Sequence, residues 1–108
     1  MNKYIKAVLA VFAICNCTMG FADDQYQKEK NCVAAYSLAR DFARNAGDIE
    51  RLKALTAAQN KIYLARPSGY FKPKHIDTMK FLYKQRIQEN GLSALTTELN
   101  NCGWKENG

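Results

Sequence analysis

The chain has 108 residues, 47% of them hydrophobic, and its 16 lysines and arginines outnumber 10 acids for a formal net charge of +6. That length suits one domain and is too short for two, and the sequence holds no Gly-rich phosphate loop, no Cys-x-x-Cys redox pair and no haem-attachment motif. The basic balance favours anionic partners, but its charges are interspersed with acids, and no nucleic-acid recognition motif accompanies them.

Residues 1–22 read as a cleavable secretory signal peptide. Lys3 and Lys6 make a positive start without an acid, and Ala7 to Ile14 form an apolar run well short of the roughly 20 residues that span a bilayer. Gly20-Phe21-Ala22 places small residues three and one positions before a cut, ahead of Asp23-Asp24. The expected mature chain is one domain over residues 23–108. An uncleaved anchor over residues 7–22 is the alternative. Lipidation is disfavoured, because Cys15 and Cys17 follow Ile14 and Asn16 where a small residue is needed. The expected address is the periplasm of a Gram-negative bacterium, with secretion to the medium as second choice. Losing Lys3 and Lys6 takes the basic count from 16 to 14 against the same 10 acids, so the mature chain carries +4.

Two of the four cysteines, Cys15 and Cys17, leave with this segment. Cys32 and Cys102 remain, and in an oxidising compartment they are expected to pair, tying the start of the domain to its end. Two free thiols or a disulfide-linked dimer are the competing readings.

From about Asp24 to Ala46, the residues Cys32, Ala35, Tyr36, Ala39, Phe42, Ala43 and Ala46 recur at three- and four-residue steps, which predicts a helix with an alanine-rich stripe. Gly47 offers a left-handed cap, and Asp48 an N-cap for a second helix carrying Ile49, Leu52, Leu55, Ala58 or Gln59, and Ile62 until Pro67 stops it. So short a join predicts an antiparallel hairpin or a sharply angled pair.

Residues 66–74 hold both prolines and a glycine beside two aromatics, and form the predicted loop. A third helix follows from about Pro73 to Asn90, with Ile76, Met79, Tyr83 and Ile87 inward and Phe81 and Leu82 on its flanks. So much apolar girth predicts either the most buried helix or a second apolar face offered to a partner. Gly91 closes it. Ser93 is the candidate N-cap of a short fourth helix carrying Leu95, Leu99 and Cys102, with Gly103 and Trp104 completing a Schellman close. The fold class is therefore all-α: a small bundle of three long helices and a short C-terminal one, the first and last joined by one disulfide.

Chemistry is harder to find. His75 stands alone among lysines, with no base–nucleophile pair and no second ligand at metal spacing. Asp41, Asp48 and Glu50 are nearest to a carboxylate pair, yet a solvated face, an N-cap and a helix dipole account for them. No enzyme, cofactor or metal is expected. The expected role is a small non-catalytic periplasmic protein-binding module, such as an immunity or inhibitor protein or an accessory factor of a conjugation or secretion apparatus. Its partner would be another envelope or periplasmic protein, met through Arg66, Tyr70, Phe71, Lys72 and Lys74, where aromatic area and positive charge share a segment pinned by two prolines. Tyr70 and Phe71 equally suit a core cap at one end of the bundle. The alternative role is a membrane-surface or envelope-polyanion binder using Lys74, Lys80, Lys84 and Arg86, a run that also suits a plain solvated face.

Overall fold

The computed structural model describes the backbone of residues 2–106 and the side chains of residues 24–106. The helices are α1 (Asn2–Asn45), α2 (Ile49–Leu64), α3 (Pro73–Asn90) and α4 (Ser93–Asn101), and no strand occurs among the described residues. The α1 helix does not begin near Asp24: with no proline and Gly20 as its one glycine, its backbone runs on from Asn2. The side chains of the expected signal segment lie outside the described residues. Among the described residues no helix is long and apolar enough to cross a membrane.

The core is built around α1. Val33, Ala34, Ala35, Tyr36, Leu38, Ala39 and Ala43 are all buried, covering far more of its girth than one stripe. Each of the other three helices packs on α1, while α2 meets no other helix. Small side chains at 34, 35, 39 and 43 let three neighbours come close to one axis. This corrects two expectations. Phe42 and Ala46, assigned to the inner stripe, are exposed, and Val33 and Leu38 are buried in their place. Nor is α3 the most buried helix, since it buries only Ile76 and Tyr83 and leaves Phe81 59% exposed.

The turn between α1 and α2 uses one residue twice. Gly47, at φ 72°, donates to the Arg44 carbonyl, and the Asp48 N–H reaches back to Ala43, closing α1 in a Schellman turn. The Asp48 carboxylate then accepts the Arg51 N–H at 3.1 Å and caps α2. With no residue to spare, α2 turns back along α1. Its face is fixed by Leu55 and by Gln59, which is only 2% exposed. The Gln59 amide donates to the Val33 carbonyl and to Ser37 Oγ, and its oxygen accepts from Arg40, so burial leaves it satisfied.

The α4 helix starts one residue earlier than its hydroxyl suggested. Leu92 holds the cap position, and Ser93 Oγ instead bonds the Asn90 carbonyl. At the other end Trp104 N–H reaches Leu99 and Gly103 N–H reaches Asn100, the expected Schellman close. Trp104 folds back as expected, edge-on to Tyr36 and beneath the Arg51 guanidinium. Beside it Cys32 and Cys102 form the disulfide, with Cα atoms 5.6 Å apart. Tyr36 Oη donates to the Cys102 carbonyl.

Candidate functional site

The loop after α2 is folded onto α1, and two α1 residues organise it. Glu29 takes the Arg66 guanidinium in a forked pair, with contacts of 2.7 to 3.0 Å. Hydrogen bonding to Arg66 holds the Glu29 carboxyl below the usual carboxylate range, although burial opposes it. Arg66 also lies over the Tyr70 ring, its Cζ 5.1 Å from the centroid. Tyr26 is the second organiser: its hydroxyl accepts the Lys72 backbone N–H at 3.2 Å and shares a 2.9 Å hydrogen bond with His75 Nδ1. Its ring packs against those of Tyr70, Phe71 and His75.

These contacts place the expected partner-binding residues very unequally. Phe71 is 8% exposed and belongs to the core cluster, wedged between Tyr26, Tyr63 and Tyr70. Arg66 and Tyr70 are half-buried and engaged with Glu29 and with each other, whereas Lys72 and Lys74 are exposed and join no ion pair among the described residues. Sequence reasoning missed Tyr26 and Glu29, which lie 49 and 37 positions from the partners they hold.

The cations around α3 do not form a patch. Lys80 Nζ sits 3.0 Å from Asp41, and Arg86 pairs with Glu98 and lies over Tyr83. Lys84 alone of the three projects without an acid, among the described residues. Asp41 is shared between Lys80 and Arg44, and Asp48 caps α2, so these carboxylates serve the scaffold.

Three grooves lie elsewhere on the described surface. Two flank the disulfide: one of about 510 Å³ is lined by Tyr36, Ala58, Lys61 and Trp104, the other of about 230 Å³ by Lys28, Glu29 and Ile62. The third, of about 220 Å³, opens where the end of α1 meets the starts of α2 and α4. Buried Ala39, Ala43, Leu95 and Leu99 make its floor, and Phe42 and Leu92, 41% and 59% exposed, stand on its rim. Among the described residues no group of three His, Cys, Asp or Glu side chains converges as metal ligands would. No protein-family model, curated protein or solved structure matches the chain.

Proposed function

We propose that the protein is an exported, non-catalytic protein-binding module of the bacterial envelope, such as an immunity or inhibitor protein or an accessory factor of a conjugation or secretion apparatus. The groove between α1 and α4 carries this reading. Its alanine and leucine floor is held from behind by the core, and two large apolar side chains at its mouth remain in water. An open apolar cleft with a firm floor suits one or two apolar side chains of another protein, because little ordering is needed before contact. Glu29, Asp41, Asp48, Glu98 and Glu106 are taken up by a cap and ion pairs and His75 by Tyr26, which favours binding over catalysis. Export is supported by the disulfide, a bond that persists in oxidising compartments.

The test is a pull-down from envelope extracts of the host with the oxidised protein, run beside a Leu92→Glu variant of unchanged helical content. A defined protein is retained by the wild type and lost with Leu92→Glu, which places a charge on the rim. If both retain the same set, the groove is not the site and the reading falls.

A further inference from the structure

We propose that the end of the bundle formed by the close of α2, the loop and the start of α3 docks on an anionic lipid surface. This stands beside the protein-binding reading and does not rest on it.

Charge is otherwise interspersed along the chain, yet between Glu50 and Asp77 there is no acid at all, while Arg51, Lys53, Lys61, Arg66, Lys72 and Lys74 all fall there. Glu106 neutralises Arg51 and Glu29 neutralises Arg66. Three of the remaining lysines fall at these two helix ends: Lys61 in the last turn of α2, Lys72 at the cap of α3 and Lys74 in its first turn. The α3 helix adds to them, since it starts with no acid in its first turn and no side-chain cap, leaving the positive end of its dipole uncompensated. In the same place Leu64 is 86% exposed, the highest value among the large apolar side chains of the described residues, with Tyr63 beside it at 43%. Lys61 and Leu64 are three positions apart and so are neighbours on the helix surface.

Leucine, tyrosine and lysine together are the residue types of a membrane interface: the apolar side chain enters the headgroup boundary, the phenol sits at its level, and the ammonium groups meet the phosphates. A protein partner would want the loop's aromatic anchors, but Phe71 is spent in the core and Arg66 on Glu29. A protruding leucine with Lys61 one turn back on the same helix surface, and Lys72 and Lys74 following in the next element, needs no complementary pocket, only a fluid anionic layer. The loop is also held in advance by Tyr26 and Glu29, so docking orders little. The α1–α4 groove lies at the other end of the bundle, and a molecule docked this way keeps it clear of the bilayer.

The experiment measures partition of the oxidised protein, recovered after export, into phosphatidylcholine vesicles with and without phosphatidylglycerol at low and physiological salt. The wild type is expected to prefer the anionic vesicles and to lose that preference as salt rises. Lys72→Glu/Lys74→Glu lowers anionic partition by about ten-fold or more, and Leu64→Ser lowers it about five-fold. Lys53→Glu/Lys84→Glu changes net charge equally but lies about three turns away along α2 and α3, and leaves partition nearly unchanged. Equal partition into both vesicle types at low salt overturns the proposal. So does an equal loss from the two charge-reversal pairs, which would make net charge the whole effect. Far-ultraviolet circular dichroism checks that each variant is folded, and Leu64→Ser tests the site even if a lysine pair perturbs the helix start.

Discussion

At the scale of single residues, the least obvious element of the fold is Gln59. Its position on the inner face of α2 follows from helical spacing, but the sequence leaves Ala58 and Gln59 as equal candidates, because spacing cannot choose between neighbours at the edge of a stripe. What decides is three partners on α1: the Val33 carbonyl, Ser37 Oγ and Arg40. Gln59→Leu keeps the volume and removes all three hydrogen bonds, leaving the inner side of Arg40 unpaired. It is expected to cost about 2 kcal/mol, read as a lower urea midpoint at unchanged slope. Two buried phenols act in a different pH range. Burial raises the pKa of Tyr36 above its ordinary 10.0, and burial together with the Glu98 carboxylate raises that of Tyr83 further. The native state therefore favours the neutral phenols. Their contribution is complete below pH 10, the unfolded value, and is lost as pH rises through the higher folded values. Tyrosinate absorbance should rise in two stages, the later one coinciding with loss of helical signal; a single stage near the ordinary value would contradict the burial of both rings.

At the scale of elements, what was legible was local. Gly47-Asp48, Pro73, Gly91 and Gly103-Trp104 mark helix ends within a residue or two, because a cap depends on neighbours in sequence. The same locality makes Gly47 testable. Its φ is 72° and a Cβ there would meet nothing within 4 Å, so Gly47→Ala is expected to cost about 1 kcal/mol through backbone strain alone. That an aromatic of the loop could cap the core was one of two open readings, and Phe71 takes it, but its docking partners were not legible, since nothing near residues 66–74 announces Tyr26 or Glu29. Loop and α1 are joined by a contact that only the folded chain creates, and one of its links titrates. Arg66 holds Glu29 below its ordinary 4.5, so the pair's contribution is complete above pH 4.5 and is lost as pH falls through the lower folded value. Ring-proton shifts of Tyr26 and Tyr70 should move in that acid range, together, before the core signals change. In Glu29→Gln the step should vanish, with the loop already loosened at neutral pH. A step that survives the substitution would assign it to another carboxylate.

At the scale of the whole molecule, the helices place two different surfaces at opposite ends: the α1–α4 groove at one, the lysine and Leu64 end at the other. Keeping them in fixed relation depends on α4, the shortest element, which buries only Leu95 and Leu99. Its packing on α1 and α3 is modest, and so the disulfide matters most there. Cys32 and Cys102 are 70 positions apart, and closing a loop of that length restricts the unfolded chain by about 4 kcal/mol on the chain-entropy account. This is comparable with the whole net stability of a small domain. Pairing of the two cysteines was legible from counting once Cys15 and Cys17 were set aside; that the helix they tie down also walls a groove was not, because the groove joins residues 39 to 51 with 92 to 99. Removing the bond is therefore expected to act unevenly. Cys32→Ala/Cys102→Ala should lower the urea midpoint strongly. Amide exchange should accelerate first in residues 93–101, while amides of α1 and α2 around Leu38 and Leu55 remain protected up to the lower global limit. Reductant should reproduce the change in the wild type and add nothing to the double variant. Uniform acceleration across all four helices would mean that α4 is held by its own packing and that the bond stabilises the bundle only as a whole.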